Sequence, residues 1–66
     1  MVIFVNSKQQ EVVAGATVAV LLEALGMALQ RVAVEVNGQL VTRSEWPQYK
    51  LNEGDRVEVV SFVGGG

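Results

Sequence analysis

Apolar residues recur at helical spacing in one segment: Val18, Leu21, Leu22 and Leu25 stand at i, i+3, i+4 and i+7. That stripe covers one face of a helix with 3.6 residues per turn. Thr17, just before it, is an N-cap candidate, and Gly26, just after it, fits the C′ position, where left-handed backbone is common. The other apolar runs alternate or form short β-branched blocks. One amphipathic helix among several strands buries its stripe by lying on one face of their sheet, so the chain reads as an α+β two-layer domain.

Val2-Ile3-Phe4-Val5 is a strand block, Asn6-Ser7-Lys8-Gln9 a polar break, and Gln10 to Val13 the return of an N-terminal hairpin. Ala14-Gly15-Ala16 interrupts it before the helix, and Met27-Ala28-Leu29 either prolongs the helix or covers the core from a loop. Val32, Val34 and Val36 share one face of the next strand, with Ala33 and Glu35 on the other. Asn37-Gly38 follows, a strong type I′ hairpin signal, because both central residues of that turn need positive φ. Gln39 to Thr42 should return as a short strand. Arg43-Ser44-Glu45-Trp46-Pro47 reads as a helical turn or loop, with Ser44 able to cap it and Pro47 ending it. Leu51 to Asp55 is a turn, and Arg56 to Val63 the last strand. The order is ββαββ. Parallel pairing of the first and last strands would set the last one in mid-sheet.

With 66 residues the chain makes one domain, near the size at which an apolar core buries only about 60% of the unfolded surface. Half of its residues are hydrophobic, which argues for a compact fold. It has no cysteine, so neither disulfides, thiolate zinc sites nor a catalytic thiol enter the account. Five cationic side chains are scattered among seven acidic ones, for a net charge of −2. The absence of a clustered basic surface argues against nucleic-acid binding. Met1 to Val5 is too short for a membrane span or a signal-peptide core, and the expected location is the cytoplasm.

The sequence closes on Val63-Gly64-Gly65-Gly66, directly behind the last apolar run. Gly64, Gly65 and Gly66 lack a Cβ and fit a channel too narrow for side chains. From Ser61 onward an extended tail reaches on the order of 20 Å at about 3.3–3.6 Å per residue. The plainer alternative is a frayed end, which the apolar pattern continuing through Phe62 and Val63 weakens. A carboxylate on Gly66 has an ordinary pKa of about 3.3–3.7, so at neutral pH it is an anion and a poor electrophile that needs activation. The chain has no histidine and no glycine-rich phosphate loop, so it offers neither an imidazole base nor a phosphate cradle of its own. Strand parity puts Val57 and Val59 on one face, with Glu58, Val60 and Phe62 on the other. Val60 and Phe62 are candidate docking residues, or else core. Glu58 is a candidate pair for a basic residue of a partner, or else a solubilising charge. Trp46 is expected to plug the core with its indole N–H on a carbonyl. Arg43 and Glu45 are loop charges, either steering a partner or merely solvated.

These residues together resemble the ThiS family, the small ubiquitin-like β-grasp sulfur carriers of thiamine biosynthesis. The resemblance covers essentially the whole chain. It rests on Gly15-Ala16-Thr17-Val18 leading into Leu21, Leu22 and Leu25; on Val34-Glu35-Val36-Asn37-Gly38; and on Val41, Arg43 and Trp46. Gly54-Asp55, Val57-Glu58 and the Phe62-to-Gly66 ending complete it. It implies a β-grasp domain over residues 1–63, a mixed sheet of four to five strands with one main helix on one face, and a flexible glycine tail at 64–66. It further implies a carrier without enzymatic activity of its own. An E1-like adenylyltransferase of the ThiF type would adenylate Gly66 with ATP and magnesium, and a persulfide enzyme would supply sulfur to give a thiocarboxylate. A thiazole synthase of the ThiG type would receive that sulfur. A molybdopterin-pathway carrier and a ubiquitin-like protein modifier are the alternatives.

Overall fold

A computed structural model describes residues 1–28 and 30–62. Within them run β1 (Val2–Val5), β2 (Lys8–Glu11), α1 (Val18–Ala24), β3 (Val32–Val36), β4 (Gln39–Val41), a 3₁₀ turn (Arg43–Glu45) and β5 (Arg56–Ser61). The strands form one mixed sheet in the order β2-β1-β5-β3-β4. β5 lies at its centre, parallel to β1 and antiparallel to β3, as the topological argument expects.

α1 begins and ends where its residues direct. Thr17 Oγ1 accepts the Val20 N–H at 3.2 Å. At the other end Gly26 takes φ 73°, and the Gly26 and Met27 N–H groups return to the Glu23 and Leu22 carbonyls at 3.0 and 2.8 Å. This is the Schellman pattern, which satisfies carbonyls that the helix end would otherwise orphan. The helix therefore stops, and Met27 packs on the core from beyond it; Leu29 lies outside the described residues. Val18, Leu21 and Leu22 are fully buried against Ile3, Val34, Val36 and Val57 of the sheet. Each of these leucines contributes about 1.5–3 kcal/mol by leaving water. Trp46 closes the edge of this core, 5% exposed, and its indole N–H donates to the Val41 carbonyl at 3.1 Å.

Three expected boundaries are corrected. The first hairpin turns on Asn6 and Ser7 alone, at φ 49° and 70°, with Val5 opposite Lys8. Lys8 and Gln9 therefore already belong to β2, and Val12 and Val13 lie beyond it. The polar Lys8-Gln9-Gln10-Glu11 stretch suits an edge strand, where backbone pairing to one neighbour does the holding and charge discourages further pairing. The second correction concerns the turn after β4: Thr42, not Ser44, opens it. Glu45 Oε1 accepts from both the Thr42 N–H and the Thr42 hydroxyl, each at 2.9 Å. Those bonds, the backbone one first, hold the Glu45 carboxyl below its ordinary value of 4.5. Lastly, β5 ends at Ser61 rather than Val63; Val63 itself is outside the described residues.

Candidate functional site

The site is built on β5. Val57 and Val59 point into the core, while Glu58 and Val60 face outward. Phe62 continues past the strand, and its N–H donates to the Arg31 carbonyl at 2.9 Å. Val60 and Phe62 are each 58% exposed, a large apolar surface for so small a domain. Gly64, Gly65 and Gly66 lie outside the described residues.

Two asparagine side chains fix β5 from opposite sides. Asn37 Oδ1 accepts the Arg56 N–H at 3.0 Å, and its amide donates to Asp55 Oδ1 at 3.0 Å. Asp55, nearly buried, also accepts the Asn52 N–H at 2.8 Å. Further along, Asn6 Oδ1 accepts the Val59 N–H at 2.8 Å while its amide donates to the Val59 carbonyl at 3.1 Å. The strand that carries the tail is thus held at its start and past its middle by side chains, in addition to its two neighbouring strands.

The outward face holds residues that strand parity within β5 alone did not reveal. Register sets Leu40 opposite Glu35, Glu35 opposite Glu58, and Ala33 opposite Val60. Leu40, 64% exposed, therefore joins Ala33 and Val60 on the same face. The two-residue Asn37-Gly38 turn was the available signal, since it fixes this register and hence the direction of Leu40. Beside Phe62 a groove of about 460 Å³ runs between Arg31, Leu40, Arg43 and Trp46. Arg43 is pinned there, its guanidinium 5.0 Å from the Trp46 ring centroid and donating to the Ala28 carbonyl at 3.0 Å. Glu35 and Glu58 stand directly across from each other, an arrangement of like charges that costs a sheet stability.

Among the described residues no set of three acidic side chains gathers to hold a metal ion, and no helix is long and apolar enough to cross a membrane.

A model of the ThiS family matches residues 3–66. The chain belongs to the ThiS family. It is 33% identical to the sulfur carrier protein ThiS of Escherichia coli (strain K12) over 66 residues, the whole of both chains. The crystal structure of the thiamine biosynthesis protein ThiS from Geobacter metallireducens, 36% identical, superposes over the whole of both chains with a TM-score of 0.85. The five-strand sheet with one helix is accordingly the β-grasp of the ThiS family. The thiazole synthase of Paramagnetospirillum magneticum (strain ATCC 700264 / AMB-1) is 39% identical over all 66 residues, and the chain spans about one fifth of that relative's length. The same share holds for the thiazole synthase of Magnetococcus marinus, at 42% identity. A ThiS-like segment thus occurs within thiazole synthases as well as alone.

Proposed function

We propose that this chain is a sulfur carrier of thiazole formation in thiamine biosynthesis, acting through the Gly66 carboxylate and catalysing nothing itself. The observation that carries the reading is the end-to-end match with the Escherichia coli sulfur carrier, in which neither chain leaves a segment unmatched. An E1-like enzyme holding ATP and magnesium directs a Gly66 carboxylate oxygen onto the α-phosphorus, and pyrophosphate leaves. A persulfide sulfur then attacks the acyl carbon and displaces AMP, and a thiol cleaves the resulting S–S bond to free the thiocarboxylate. Thiazole synthase takes the sulfur. Two thiazole synthases that contain a ThiS-like segment support that partner and favour the thiamine pathway over molybdopterin synthesis or protein modification. On this reading the steps run in the cytoplasm.

The outward face of β5 supports docking beside the tail. Val60 and Phe62 offer apolar contact, and the opposed Glu35 and Glu58 carboxylates, unfavourable to each other, gain from a basic residue on the partner. Gly64 and Gly65 follow as a thin lead into the partner's active site.

Incubation with the activating enzyme, ATP and a persulfide source should shift the intact mass by one oxygen exchanged for sulfur, located on Gly66. Deleting Gly66, or adding an alanine after it, should abolish the exchange while leaving the melting temperature unchanged. Undiminished sulfur transfer by either variant refutes the terminal-reagent reading, and a mass equal to a fusion with a second protein would instead indicate a modifier.

A further inference from the structure

The backbone of β5 alternates its hydrogen-bonding groups between its two neighbours. On the β1 side, the Asp55 carbonyl accepts the Phe4 N–H at 2.9 Å and the Val57 carbonyl accepts the Asn6 N–H at 2.8 Å. Val59 presents both its groups there too, but β1 has already ended at Val5 and the chain has turned away. The Asn6 carboxamide substitutes for the missing strand, giving and accepting one bond with Val59 at 3.1 and 2.8 Å. On the opposite side Arg56 and Phe62 bond to residues of β3 or flanking it, which confirms the alternation. Ser61 is the next residue to point its N–H and C=O toward the β1 side. Among the described residues nothing pairs with them there.

We propose that this open edge at Ser61 receives an extended segment of thiazole synthase, whose main chain continues the sheet beside the base of the tail. The proposal rests on the sulfur-carrier reading and names where the partner's backbone engages. The occupant follows from the chemistry of the edge. At Val59 the groups are satisfied by an amide, and a peptide backbone repeats that donor and acceptor pair at the spacing needed to reach Ser61. An exposed, unpaired strand segment is itself a template for such addition. Thiazole synthase is chosen because ThiS-like segments occur within thiazole synthases, which places the two bodies in one working unit. Pairing at Ser61 would align the tail as it leaves the sheet, while Val60 and Phe62 on the outward side remain available for side-chain contact.

Ser61→Pro tests the pairing, because proline removes the N–H on the open edge and fills that edge with its ring, yet leaves the Phe62 bond to Arg31 in place. Ser61→Ala is the control, changing the side chain and keeping the backbone. Ser61→Pro should weaken binding to thiazole synthase roughly tenfold or more, with Ser61→Ala indistinguishable from the parent. A folded Ser61→Pro protein that binds as tightly as Ser61→Ala overturns the proposal. Should Ser61→Pro fail to fold, amide hydrogen exchange on the unaltered protein decides: saturation with thiazole synthase should slow exchange at Ser61 at least tenfold, and an unchanged rate overturns it. The Gly66 deletion separates the two readings. It should keep the slowed exchange at Ser61 while forming no thiocarboxylate, whereas sulfur transfer that survives the deletion defeats the carrier reading whatever happens at Ser61.

Discussion

The two tight turns of this domain share a geometry and differ in how they achieve it. Asn6-Ser7 joins β1 to β2 and Asn37-Gly38 joins β3 to β4, each with positive φ at both central residues. In both, the asparagine carboxamide reaches across to the backbone of β5, Asn37 at Arg56 and Asn6 at Val59. The second turn places glycine where left-handed backbone costs nothing. The first places serine there, at φ 70°, and the strain is offset by what Asn6 gains on β5. Turn conformation at Asn37-Gly38 is thus locally encoded, whereas at Asn6-Ser7 it is held by a contact more than fifty residues away in sequence.

Removing the asparagines tests whether their contacts, rather than the turns themselves, carry the stability. Asn37→Ala should cost about 3 kcal/mol in chemical denaturation, since it breaks the bond to Arg56 and also strips a partner from the nearly buried Asp55 carboxylate. Asn6→Ala should cost about 2 kcal/mol, from two part-buried bonds to Val59 with no charged partner. Equal costs would mean that the Asp55 linkage adds nothing. The second turn position gives smaller effects of opposite sign. Gly38→Ala should destabilise by about 1 kcal/mol through backbone strain alone, because an added Cβ there meets nothing within 4 Å. Ser7→Gly should stabilise by about 0.5 kcal/mol, relief of strain being partly cancelled by the entropy of a freer unfolded chain. A destabilising Ser7→Gly would show that Ser7 does more than tolerate its conformation.

The smallest effect is expected in acid, and it lies at the turn that follows β4. Bonds from Thr42 lower the Glu45 carboxyl, so their support is fully present above its ordinary value of 4.5 and is lost as pH falls through the lower folded value. Glu45→Gln should therefore lower the melting temperature slightly at neutrality and flatten its fall below that pH, where the protonated parent has lost the same support.

The legible parts of the fold were those in which a residue's own chemistry dictates its backbone. Thr17 and Gly26 bounded the helix, Asn37-Gly38 named its turn, and alternating valines separated the two faces of β3 and β5, leaving open which face of β5 is buried. What escaped was set by partners distant in sequence. Ser7 carries no left-handed preference, so its turn read as a longer polar break. Lys8 to Glu11 shows no apolar period because it is a strand only by pairing with β1. Thr42 and Glu45 had the Thr-x-x-Glu spacing of a cap, which outranks Ser44 when the two are compared. At the site, parity set Glu58, Val60 and Phe62 on one face, and burial in the folded domain shows that face to be the exposed one. Leu40 joins it only through register across β3. Gly64 to Gly66 were read from composition and chemistry, on which the described residues do not bear.

The place of β5 between a parallel and an antiparallel neighbour also determines how the molecule answers a pull. A partner tugging along the far end of β5 draws it against β1, which runs in the same direction, and against β3, which runs in the opposite one. Every cross-strand bond then shares the load at once, in shear, and none is peeled open ahead of the rest. Such a strand withstands a pull along its own axis better than one that can be unzipped from its end bond by bond.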